Sequence, residues 1–104
     1  MLDETQKVQH FVDGRQRIDL DANEMLAYAV IRAIELIGEA AARVTDETRN
    51  QYPQIPWKNI IGMRNRIIHD YNNVNLDIVW QVANRNLPEL ALQLIDILPP
   101  EKPM

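Results

Sequence analysis

The sequence predicts an all-α fold, an antiparallel bundle of four to five helices with the last one kinked at a proline. Apolar residues recur at spacings of three and four along Asp21–Val44, and again from Leu76 to Leu98. Between and around these stripes, prolines and capping side chains stand where helices should start and stop. Only three glycines occur, and β-branched runs are short, which argues against a sheet. A chain of 104 residues suffices for one domain with one core, so residues 1–104 are expected to form a single unit.

Hydrophobic residues make up 46% and charged residues 25%, a globular and not a disordered composition. The formal net charge of −4 and pI ≈ 5.0 remove any general attraction to nucleic acid. Contact with RNA would have to rest on a few placed cations. With no cysteine, disulfides, thiolate metal sites and a cysteine nucleophile are excluded. The start, Met1–Lys7, has no apolar signal core, and no apolar run is long enough to span a bilayer. The expected location is the cytoplasm, with no membrane partner.

Along the chain, Leu2–Val12 forms a short helix stopped by Asp13-Gly14, and residues 15–20 are a connector. So short a helix must lean on a neighbour. The second helix begins at Asp21, with Glu24 completing a capping box. Its stripe of Leu26, Val30, Ala33, Ile37, Ala41 and Val44 is flanked by Met25, Ala29, Leu36 and Ala40, a face broad enough for several partners. Tyr28, Arg32, Glu35, Glu39 and Arg43 lie opposite. Glu35 and Glu39 are one turn apart, but Glu39 and Arg43 have the favourable ion-pair spacing and no histidine is near, so no metal site is expected. Thr45 or Asp46 caps a short turn through Tyr52. Pro56 opens a third helix running to about Tyr71, because its missing N–H is not needed there. Asn75 caps the last helix, Pro88 interrupts it near residues 86–88, and residues 99–104 form a loose tail.

The informative stretch is Ile61–Tyr71. On a helical wheel at about 100° per residue, Trp57, Ile60, Ile61, Ile67, Ile68 and Tyr71 share one face, with Arg64 near its middle. A guanidinium stays charged, so burial there would require a carboxylate, a phosphate or a second subunit opposite it. Of the two histidines, His10 reads as a surface residue, while His69 lies among Arg64, Arg66, Asp70 and Tyr71. Arg66 and Asp70 make a surface pair at most. Arg64 and His69 are five residues apart, roughly 140° and about 7.5 Å on a regular helix, and so do not share a face. A working site requires the helix to loosen before His69, or a second subunit to complete it. The second option is favoured, since a two-fold axis also covers the broad apolar faces.

Arg64-x-x-x-x-His69-x-Tyr71 resembles the R-x-x-x-x-H-x-Y signature of HEPN domains, specifically of the HepT-like ribonuclease toxins. The blocks Ile34–Ala41, Ile55–Arg64, Ile68–Tyr71, Leu76–Trp80 and Asn86–Pro88 resemble that family in the same order, over about Asp21 to Leu98. The family's first helix is usually longer than Leu2–Val12, and residues before Asp21 match less well. The resemblance implies a homodimer with both motifs in one cleft. It also implies a metal-independent endoribonuclease, needing no cofactor, that is the toxin of a type VII-like toxin–antitoxin pair. The antitoxin is an MNT-type nucleotidyltransferase that transfers AMP to the motif tyrosine. Catalysis then falls to Arg64 and His69, and modification to Tyr71. No DNA partner is implied.

Those residue types suit that chemistry. Histidine, unperturbed at a pKa of about 6.5, exchanges protons at neutral pH. A guanidinium holds two phosphate oxygens as charge builds in the transition state. Asn65, one turn before His69, is placed to orient the imidazole or bind phosphate. The alternative, which the acidic charge favours, is a non-catalytic nucleotide-binding or docking subunit of a nucleotidyltransferase.

Overall fold

A computed structural model of the chain describes residues 1–70 and 73–97. Helix α1 spans Leu2–Val12, as the sequence predicts. Gly14 follows at φ 71°, a left-handed turn open to glycine, and Arg15 N donates to the Val12 carbonyl at 3.0 Å. The connector contains a short helix, α2 (Ile18–Ala22). Helix α3 covers Glu24–Arg43 and is capped by Asn23, whose side chain accepts from Leu26 N at 3.0 Å. Asp21 is therefore not the N-cap. It is taken by Arg17, which also reaches Asp77 at the head of the last helix.

Thr45 caps α4 (Asp46–Gln51) through its hydroxyl. From α4, Arg49 donates to the Ala41 and Ala42 carbonyls, supplying partners for the open end of α3. Pro56 precedes α5 (Trp57–Ile61). The expected single helix from Pro56 to Tyr71 is broken at Gly62 and resumes as α6 (Met63–Ile67). It then changes to a strand, β1 (Ile68–Asp70), antiparallel to β2 (Asn73–Val74), with Ile68 opposite Val74 and Asp70 opposite Asn73. The sequence carries no clear strand signal here. Beside the Ile68–Val74 pair, Asn75 N donates to the Ile67 carbonyl at 2.8 Å, giving the end of α6 a partner beyond the helix.

Asn75 caps the last helical segment, its Oδ1 accepting from Asp77 N and Ile78 N. That segment comprises α7 (Leu76–Gln81), a π turn (Val82–Asn86) and α8 (Leu87–Ile97). Leu87 N bonds back to the Val82 carbonyl, one residue further than in an α-helix. The turn lies just ahead of Pro88, which has no N–H to donate. The expected tail, residues 99–104, falls outside the described residues.

The helices form the bundle, and the hairpin is a small addition at its edge. Helix α1 packs on α3 and α8, while α5 and α6 pack on α3. Val8, Val30, Ile34, Ile37, Ile60, Ile67, Val79, Val82 and Leu87 are fully buried between them. Each such side chain contributes about 1.5–3 kcal/mol of apolar burial before entropy is counted. Gly38 marks the closest approach: a Cβ there would lie 3.3 Å from the Ile60 carbonyl oxygen. None of the helices among the described residues is long and apolar enough to cross a membrane.

Candidate active site

Helix α6 carries Arg64, Asn65 and Arg66 in succession, all exposed, while Met63 and Ile67 point into the core. The expectation that Arg64 lies in the middle of a buried face is overturned. The wheel from Pro56 places it among the isoleucines, but the buried face is the narrower arc of Ile60, Met63 and Ile67, and Arg64 lies off its edge. Gly62 N closes α5 onto the Lys58 carbonyl at 3.0 Å, and a Cβ at Gly62 would stand 3.2 Å from that same oxygen. Arg64 thus meets solvent without the penalty of burying a lone charge.

His69 occupies the middle of β1, two residues beyond the end of α6. Its backbone is part of the hairpin, and its side chain lies outside what the structure describes. Helix α6 stops at Ile67, before His69, as one of the two alternatives drawn from the sequence requires. The 140° separation of a regular helix no longer applies. Tyr71, the expected modification site, lies outside the described residues.

The remaining sequence-predicted groups scatter. His10 is exposed on α1, remote in sequence from α6. On α3, Arg32 pairs with Glu35 at 3.3 Å and Glu39 at 3.7 Å, in place of the expected Glu39–Arg43 pair. Arg17 bridges α2 to α7, donating to Asp77 at 2.8 Å and Asp21 at 2.7 Å. The bond to Asp77, together with the field of Asp21, raises the guanidinium above its ordinary pKa. This clasp holds the connector against the segment that follows the hairpin. Sequence reasoning did not pick it out, because its partners stand sixty residues apart.

With this geometry in hand, the comparison with known proteins is decisive. A family model described as HepT-like, ribonuclease HepT-like, matches residues 1–97. The chain belongs to the HepT-like family. The match begins at residue 1, so it includes the N-terminal segment before Asp21. The chain is 38% identical to "Putative RNase TTE0752" of Caldanaerobacter subterraneus subsp. tengcongensis, covering 88% of this chain and 81% of that protein. It is also 38% identical to "Putative RNase MJ1380" of Methanocaldococcus jannaschii, over 73% of this chain and 74% of the relative. A shorter match, 41% identical, joins 42% of this chain to 32% of the "mRNA nuclease HepT" of Shewanella oneidensis. No solved structure matches. In this HepT-like chain, the exposed Arg64-Asn65 pair on α6 and the hairpin that carries His69 are the candidate site.

Proposed function

We propose that the chain is a metal-independent endoribonuclease, the toxin of a type VII-like HEPN/MNT pair, with Arg64 and His69 as its catalytic residues. The observation that carries this reading is the exposure of Arg64 on a five-residue helix ending two residues before His69. A solvent-facing guanidinium five residues before a histidine in sequence suits a polymeric phosphodiester better than a buried structural pair. Names of relatives that include the word RNase support the same substrate class.

In the reaction, His69 takes the proton of a ribose 2′-OH, and the 2′ oxygen attacks the adjacent phosphorus. The bond to the 5′ oxygen breaks, leaving a 2′,3′-cyclic phosphate and a 5′-hydroxyl that regains a proton. Arg64 holds the non-bridging oxygens as their charge grows. Asn65 supports the imidazole or the phosphate. The functional unit in this reading is a cytoplasmic homodimer, each subunit one domain of four to five helices, the last bent ahead of Pro88. Exposed Met25 and Tyr28 on α3, and Leu92 and Ile95 on α8, offer apolar surface for a partner. An MNT-type nucleotidyltransferase silences the toxin by placing AMP on Tyr71, adding bulk and negative charge near Arg64.

RNA cleavage in EDTA by the wild type, Arg64→Ala and His69→Ala tests this. Loss of cutting in both variants is expected, and a His69→Ala protein as fast as wild type sinks the assignment. Sedimentation as a monomer would remove the dimeric part. The net charge of −4 favours a second reading, a non-catalytic docking or nucleotide-binding subunit of the nucleotidyltransferase. ATP-dependent mass gain on Tyr71 with no RNA cleavage would select it.

A further inference from the structure

A cavity of about 320 Å³ lies beside α6, on the flank of Arg66. Its floor is apolar: Ile60, Met63 and Leu90 are each at most 3% exposed. Its walls come from two stretches of the chain, 54–66 and 86–93, and are rich in amides, with Gln54, Asn59, Asn86 and Gln93 joined by Arg66 and Glu89. An apolar base with a few convergent polar groups is the usual make-up of a small-molecule site, and the volume falls at the lower end of that class. Two further features set it apart from an ordinary surface dent. The Asn86 Oδ1 atom is buried and has no hydrogen-bond partner among the described residues. Asn86 also closes the π turn, a distortion that re-aims side chains and recurs at functional sites.

We infer that this cavity is a nucleobase subsite, and that it reads one base of the RNA cut at Arg64 and His69. Glu89, one turn on from Asn86, lines the cavity with an exposed carboxylate, which presents two acceptor oxygens side by side. Two neighbouring acceptors complement two neighbouring donors, the N1–H and N2 amine edge of guanine. Uracil offers a single N–H between two carbonyls and suits them least. Ile60, Met63 and Leu90 supply the apolar surface against which a flat base rests, and Gln54, Asn59 and Gln93 hold donors for its carbonyl and ring nitrogens.

The location fits a strand already engaged by the candidate site. Arg64 and Arg66 are two residues apart on α6, a rotation of about 200°, so they emerge on opposite flanks with Asn65 between them. A single strand crossing this exposed arc places a phosphate at Arg64 and a neighbouring base at the mouth of the cavity beside Arg66. Bases in single-stranded RNA can be splayed out and read on their edges. The subsite rests on the ribonuclease reading for its biological role, but its ligand is defined by the cavity alone.

The test titrates the four ribonucleosides, which carry no phosphate for Arg64, into ¹⁵N-labelled protein and follows the side-chain amide signals. Guanosine should move the Asn86, Gln54 and Gln93 signals and bind about ten-fold more tightly than uridine. Asn86→Leu and, separately, Gln93→Leu should each weaken guanosine binding, while Arg64→Ala should leave it unchanged. Absence of shifts with every nucleoside overturns the subsite, as does binding that Arg64→Ala abolishes and Asn86→Leu spares. The readout needs no cleavage. A protein that binds guanosine in the cavity but never cuts RNA loses the ribonuclease reading and keeps the subsite. One that cuts RNA but shows no amide shifts does the reverse.

Discussion

The backbone N–H of Asn75 donates to the carbonyl of Ile67 at 2.8 Å, while the Asn75 side chain caps α7. One residue therefore ends α6 and begins α7, and the segment carrying His69 is tied at its base between them. Asn75→Ala removes the cap but keeps the backbone bond. It should cost about 1 kcal/mol of stability, with Asn75→Asp retaining most of it. Chemical denaturation of the three proteins checks this, and a neutral Asn75→Ala would show that the cap contributes nothing to the hairpin's footing.

Arg64 is exposed, so its loss should separate function from folding. Arg64→Ala is expected to unfold within about 0.5 kcal/mol of the wild type. Its RNA cleavage should fall by about 10²–10³, the usual effect of removing a group that stabilises transition-state charge. Arg64→Lys keeps the charge but not the planar fork, and should recover little. Thermal melts run beside cleavage assays decide the matter. A large drop in melting temperature for Arg64→Ala would mean that the guanidinium has a structural partner instead.

Gly38 lets α3 approach the backbone of α5, with carbonyl oxygens of Ile60 and Ile61 at 3.3 and 3.6 Å from a would-be Cβ. Those oxygens belong to backbone and cannot swing aside. Gly38→Val adds two methyls beyond the Cβ and should destabilise by about 1–3 kcal/mol through overpacking. Gly38→Ala sets the tight contact against a helix-propensity gain of about 1 kcal/mol, so it should shift the midpoint far less. Denaturant midpoints compared at constant slope will rank the two.

The Arg17 clasp to Asp21 and Asp77 is largely solvent-exposed, Asp77 at 83%. Water and salt screen such pairs, so Arg17→Ala should cost under about 1 kcal/mol, and the difference from wild type should shrink in high salt. Melting curves at low and high ionic strength test it. A salt-independent loss would indicate packing of the arginine stem instead of charge.

The sequence makes the long-range frame of this protein readable, and loses it where tertiary bonds decide. The bounds of α1, the stripe of α3, the Thr45 and Asn75 caps and the opening at Pro56 all follow from local chemistry. The stop at Ile67 does not. Ile60, Ile61, Ile67 and Ile68 fit one face of a helix, yet Ile67-Ile68 also suits a strand, and in the chain Ile68 pairs with Val74. The wheel buries Arg64 because it takes Trp57, Ile61 and Ile68 as core, whereas the buried arc is Ile60, Met63 and Ile67. Arg64, Asn65 and His69 are visible as a motif. The cavity beside them is not, since it forms only where the stretch around Gln54 to Arg66 meets the one from Asn86 to Gln93.

The π turn at Val82–Asn86 has a consequence for how relatives should be compared. It holds one residue more than an α-helix needs to cover the same rise. A relative lacking that residue would show a single-position gap between its equivalents of Trp80 and Pro88, with the apolar stripe intact on both sides. In such a protein the polypeptide would run as unbroken α-helix through this region. The counterpart of Asn86 would then rotate by about 100° relative to the segment before it. Length variation at this one point is thus a marker for whether a homologue has inherited the amide-lined cavity or only the fold around it.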